Sequence, residues 1–122
     1  MARRLVPRSA TTTATVPWWS WLPRRRYAIV GRVKEADEIP QSLPRKGMIV
    51  VGGDTAPTWV AFDCPCPLRH RLLIPLTARR TPHWQLTSWG RPSLYPSVAS
   101  THNGIGCHFW LDQGRVRWVR EA

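Results

Sequence analysis

Thr58-Trp59-Val60-Ala61-Phe62-Asp63 runs directly into Cys64-Pro65-Cys66-Pro67, and Arg71-Leu72-Leu73-Ile74-Pro75-Leu76 follows within a few residues. Both flanking runs are short, apolar, and rich in β-branched or aromatic side chains, so each reads as a strand. The sequence between them then forms a tight knuckle carrying two thiols. This strand–knuckle–strand unit decides the fold class, because nothing around it shows a sustained 3.6-residue apolar period.

Further strands are expected outward from this unit. Tyr27–Val33 and Gly47–Gly53 are apolar runs bounded by turn residues, and His83–Ser88 carries Trp84 and Leu86 on one face. Cys107–Leu111 and Arg115–Val119 flank Asp112-Gln113-Gly114, where Gly114 supplies the positive φ of a short hairpin loop. Lys34–Pro44 is polar, holds two prolines and reads as a loop or short helical turn. Twelve prolines and eight glycines agree with short strands and many turns. The expected architecture is mostly β: a small antiparallel, sandwich-like domain over residues 27–122, with a zinc knuckle and a C-terminal β-hairpin. An irregular basic arm, residues 1–26, precedes it.

The formal charge of +11 is concentrated in that arm. Residues 1–34 hold eight basic residues and no acid, while the remaining chain is close to balanced. Like-charge blocks at a terminus are usually solvated arms. The second reading of the block is a polyanion ligand such as nucleic acid, whose phosphates reward charge without any base reading. Trp18-Trp19-Ser20-Trp21 is expected to form a strap packed on the domain. No apolar run approaches the roughly 20 residues of a membrane-spanning helix, and the expected location is cytoplasmic.

All three cysteines fall in two clusters, Cys64-Pro65-Cys66 and Cys107-His108. Thiolates and imidazoles are the donors zinc prefers, and structural zinc sites are commonly built from two short ligand pairs. The assigned metal set is Cys64, Cys66, Cys107 and His108, holding a structural Zn²⁺. His70, His102, Asp63 or water are the other candidates for the fourth position. One geometric condition applies: in a regular strand Cys107 and His108 point to opposite faces, so both reach one ion only if the strand starts later or bulges. The competing reading of the cysteines is three ordinary buried thiols.

Ser97, with His108 and His102 downstream, is the one nucleophile–base arrangement the chain allows. A serine hydroxyl needs a histidine within hydrogen-bond reach and a third group to orient that base. Asp112 and Asp63 are candidate orienters, and Gly104 and Gly106 are candidate oxyanion donors. The catalytic residues expected are therefore Ser97 and His108; the bland alternative for Ser97 is a turn serine after Pro96.

From Lys46 onward the order of motifs resembles a small bacterial family of formerly unknown function. The residues that carry the likeness are Lys46–Val51, Phe62–Pro67, Ile74–Thr77, Pro82–Leu86, Ser93-Leu94-Tyr95-Pro96-Ser97-Val98, His108–Leu111 and Gly114-Arg115-Val116-Arg117-Trp118. This chain departs from the family at Pro67, at Leu68 (the third knuckle cysteine in the family) and at Ile105 (a cysteine there); Cys107 stands two positions later. Members are often encoded beside bacterial relatives of ubiquitin-activating and ubiquitin-conjugating enzymes. The resemblance implies a zinc-binding accessory of a ubiquitin-like conjugation pathway, with a serine-type peptidase that processes or removes the ubiquitin-like protein as its candidate activity. Its partners would be that protein or its conjugating enzymes. The alternative is a non-catalytic, zinc-stabilised module that binds nucleic acid through residues 1–26.

Overall fold

The computed structural model describes residues 16–53, 56–79, 81–87, 90–102 and 104–119. Among the described residues eight strands form two four-stranded sheets, and the chain is mostly β as the sequence predicts. The first sheet runs β1 (Ala28–Val33), β2 (Gly47–Gly52), β3 (Pro57–Asp63) and β4 (Arg71–Pro75) in spatial order. The second runs β5 (Gln85–Thr87), β6 (Ser93–His102), β7 (Ile105–Asp112) and β8 (Arg115–Trp118). No helix among the described residues is long and apolar enough to cross a membrane.

One pairing departs from the expected antiparallel plan. β1 and β2 are parallel, with Ala28 opposite Gly47 and Val33 opposite Val51. Parallel neighbours need a long crossover, which residues 34–46 provide. They include a short 3-10 turn, Ala36–Glu38, closed by a reciprocal capping box between Glu35 and Glu38.

β2 explains why the crossover is held down. Met48, Ile49, Val50 and Val51 are all buried, so this strand has no solvent face. Met48 and Val50 face the second sheet and join Phe62, Val60, Ile74, Leu94, Val98, Phe109 and Leu111 in the core between the sheets. Ile49 and Val51 point the other way, into a smaller cluster with Val30, Val33 and Leu43 from the crossover. Phe62 and Phe109 meet edge-on across the sheets, ring centres 6.4 Å apart, a favoured aromatic geometry.

The segment before β1 straps the two sheets together. Tyr27 donates its backbone N–H to the Gly114 carbonyl at 2.7 Å, and its buried hydroxyl donates to the Asp63 carbonyl at 2.7 Å. Arg26 reaches the Gln113 carbonyl, and Arg24 reaches the Arg45 carbonyl. Trp18–Trp21 forms a 3-10 turn ahead of this strap, with Ser20 buried but Trp18 78% exposed. The strap expected from the sequence is therefore made mostly by Arg24–Tyr27. Residues 1–15 of the expected arm lie outside the described residues.

Candidate functional site: a thiol cluster and a Ser–His pair on opposite faces of one ladder

The knuckle between β3 and β4 is closed by backbone hydrogen bonds. Cys64 N–H donates to the His70 carbonyl at 2.8 Å and Arg69 N–H to the Cys66 carbonyl at 3.0 Å. Arg69 sits in the left-handed region at φ 48° to complete the turn. These bonds turn Cys64 and Cys66 inward, where both are buried along with Cys107 from β7. All three are free thiols, and their sulfurs lie within 4.8 Å of one another.

The cluster is electrostatically uneven. Burial pushes the Cys64 thiol up to about 12 and also raises Cys107. Burial acts to raise Cys66 as well, but hydrogen bonds from the Cys107 and Cys64 thiols, and from the backbone at Arg69 and Leu68, outweigh it and hold Cys66 below the usual thiol value. One sulfur thus leans toward thiolate, stabilised by its neighbours. Pro67 has no amide to donate, and Leu68 and Arg69 supply those bonds instead. A buried sulfur trio with inward-turned amides fits a soft divalent metal such as zinc, whose structural sites use thiolates.

His108 does not join this cluster. β7 starts at Ile105, before Cys107, and keeps a regular register: Ser100 opposes Cys107 and Ala99 opposes His108. Adjacent strand residues face opposite ways, so Cys107 turns into the core and His108 turns out. The assignment of His108 as a metal ligand is corrected by this alternation. The imidazole instead meets Ser97, with Oγ and Nε2 2.8 Å apart.

A bulge puts Ser97 there. Leu94 opposes Leu111 and Val98 opposes Phe109, so β6 fits Tyr95, Pro96 and Ser97 across from Trp110 alone. Extra residues in one strand re-aim side chains. Leu94 and Val98 stay buried in the core, while Ser97 becomes the diagonal neighbour of His108 on the outer face. Trp84 pins the bulge by donating its indole N–H to the Ser97 carbonyl at 3.2 Å. A cleft of about 370 Å³ reaches His108 but not Ser97, and is lined in part by Ala99, Thr101, Gly106, His108 and Trp118.

The auxiliary roles expected from the sequence fall elsewhere. Asp63 accepts a hydrogen bond from Arg71 at 2.8 Å on the first sheet. Asp112 faces Arg117 at 3.8 Å and lies four residues along β7 from His108, about 13 Å at the rise of a strand. Gly106 pairs with Thr101, four residues along β6 from Ser97, about as far. Neither carboxylate orients His108, and the Gly106 amide does not serve an oxyanion at Ser97. The side chain of His102 lies outside the described residues.

His70 was one of several candidates for a fourth donor, and the structure brings it to the cluster's edge. Its Nδ1 is 3.5 Å from Cys66 Sγ and its Nε2 is 3.0 Å from Ser100 Oγ.

The chain is thus a mostly β protein with buried thiols on one side of a strand pair and a serine–histidine contact on the other. Residues 35–119 match the model of the family described as bacterial ubiquitination-like system serine protease (BubE), and the chain belongs to that family. No curated protein and no solved structure matches the chain.

Proposed function

We propose that this protein is a serine-type peptidase of a bacterial ubiquitination-like system, cleaving at the C-terminal end of a ubiquitin-like protein. The observation that carries this reading is the 2.8 Å contact between Ser97 Oγ and His108 Nε2, within the reach required for a nucleophile and its base. The family to which the chain belongs supports both the pathway and the reaction class.

In this mechanism His108 Nε2 takes the proton from Ser97 Oγ as that oxygen attacks the carbonyl carbon of the scissile amide. His108 then gives the proton to the departing amine, and an ester remains on Ser97. Water, deprotonated by the same imidazole, hydrolyses that ester and frees the carboxylate and the serine. The open cleft of about 370 Å³ beside His108 is within the size range of ligand sites, roughly 300–1,000 Å³. An extended peptide end, slim enough to lie across a sheet face, suits it better than a folded loop.

We assign the thiol cluster a structural zinc. Bound metal supplies a cross-link between the knuckle and β7 that a small core benefits from. Cys64, Cys66 and Cys107 would hold it from the inner face, away from Ser97. Among the described residues no observation favours the nucleic-acid alternative.

The decisive experiment incubates the purified chain with a ubiquitin-like precursor extended beyond its terminal glycine. Cleavage near that glycine is expected, with no cleavage by Ser97→Ala. Full activity in that variant would remove Ser97 from the mechanism.

A further inference from the structure

Three sulfurs leave one position of a tetrahedron to fill, and His70 lies at the edge of the cluster: its Nδ1 is 3.5 Å from Cys66 Sγ but not within 4.8 Å of all three sulfurs, so the ring has to move toward the other two to complete the set. Zinc–sulfur and zinc–nitrogen bonds of about 2.3 and 2.0–2.1 Å put two ligands of one tetrahedral ion about 3.5 Å apart. His70 Nδ1 and Cys66 Sγ already have that separation, 3.5 Å. A metal-bound imidazole nearly always donates its other N–H to a fixed acceptor, which sets the tautomer and the ring plane. Ser100 Oγ, 3.0 Å from Nε2, is in position to be that acceptor. Ser100 is also the direct cross-strand partner of Cys107, so the group that orients His70 and the third thiol share one rung of the ladder.

The knuckle geometry agrees. His70 ends the turn that Cys64 begins, because its carbonyl accepts the Cys64 amide hydrogen. Two thiols and one imidazole therefore come from a single seven-residue segment, with only Cys107 supplied by the second sheet. A cleft of about 440 Å³ reaches Cys64 and Cys66 from solvent, and its wall includes Arg45, Lys46 and Arg69.

We propose that His70, through Nδ1, is the fourth ligand of a tetrahedral three-cysteine, one-histidine zinc site, with Ser100 as its positioning residue. The inference rests on reading the three cysteines as a metal site. On binding, the thiols release their protons to solvent and neutral His70 contributes a lone pair. Three thiolates and Zn²⁺ leave a net charge of −1, which the three cations lining the cleft complement.

Cobalt(II) is the probe, titrated into the full chain. The native protein should take up one equivalent and develop the intense visible bands of a tetrahedral thiolate site. His70→Ala should bind at least about tenfold more weakly, with altered bands. Ser100→Ala should lose about 10- to 100-fold in affinity, the usual cost of removing an outer partner, while keeping the native spectrum. His70→Cys should restore tight binding with stronger thiolate-to-cobalt charge transfer. Identical affinity and spectrum in His70→Ala would overturn the role of His70 while leaving the cysteine site intact. A native chain that takes up no cobalt would remove the metal site altogether. Should His70→Ala not fold, the native chain loaded with ¹¹³Cd gives the answer: scalar coupling between cadmium and His70 Nδ1 supports the ligand, and its absence removes it.

Discussion

Cys107 and His108 are neighbours in sequence that serve opposite sides of β7: one enters a sulfur cluster within 4.8 Å, the other meets Ser97 at 2.8 Å. The strand's alternation divides two chemistries between consecutive residues, with no loop between them. Whatever rigidifies the inner face therefore also fixes the backbone that carries the outer pair.

If the proposed serine mechanism holds, the 2.8 Å contact makes Ser97 and His108 one catalytic unit. Ser97→Ala and His108→Ala should each lower cleavage by about 10³-fold or more, and the double variant should be no slower than either single one. Rates on a ubiquitin-like precursor, with circular dichroism to confirm folding, test this. Additive losses would mean that the residues act separately.

Metal affinity should climb steeply with pH. Cys64, pushed up to about 12, and Cys107, also raised, carry their protons at neutral pH, and a metal must displace them. Each displaced proton strengthens binding about tenfold per pH unit, so these two alone predict at least about 100-fold per unit between pH 6 and 8. The sign follows from the direction of the shifts: acid restores the thiols and expels the ion. Competition titrations against a chelator at three pH values measure the slope, and a flat profile would contradict the protonated state of these thiols.

Two glycines with positive φ should respond differently to the same change. A Cβ on Gly114 would meet the Tyr27 carbonyl oxygen at 2.7 Å, whereas one on Gly104 meets nothing within 4 Å. Gly104→Ala should cost about 1–2 kcal/mol, from its backbone angle alone. Gly114→Ala should cost more, because it also weakens the Tyr27 strap. Urea denaturation of both variants separates the contributions; equal losses would mean that the strap yields without cost.

Phe109→Ala removes a ring that is fully buried and lies between Phe62 and Trp118. The expected loss is about 3–5 kcal/mol, large against the 5–15 kcal/mol typical of whole domains. Thermal unfolding should show a strongly lowered midpoint, and a change of a degree or two would mean that the core repacks around the void.

Much of this arrangement can be read in the chain. The runs at Gly47–Gly53, Thr58–Asp63 and Arg71–Leu76 mark strands because their burial on at least one face demands apolar side chains. The Gln113-Gly114 turn is equally legible, since both residues adopt positive φ, 51° and 82°. β6 is harder to see. Pro96, Ser97, Ser100 and Thr101 break its apolar pattern because a bulge and a solvent-facing side need no hydrophobic residues. The Asn103-Gly104 pair, a strong hairpin signal, was the available clue. The parallel β1–β2 pairing was hidden, because its crossover lacks the helix that normally announces one. For the site, the opposite facing of Cys107 and His108 follows from strand alternation alone. The contact of His70 with Cys66 is local to the knuckle, four residues apart, whereas its contact with Ser100 of the second sheet is a non-local pairing that no spacing rule contains.

The bond from Tyr27 to Gly114 joins the segment just before the first strand to the tip of the last hairpin. During synthesis, which runs from the N-terminus, β1 emerges long before its anchor exists. Closure over so large a sequence separation is entropically slow. β1 pairs with β2 without this bond, but the strap can close only once the hairpin of β7 and β8 exists, and a variant lacking that hairpin should be prone to aggregation or capture by chaperones.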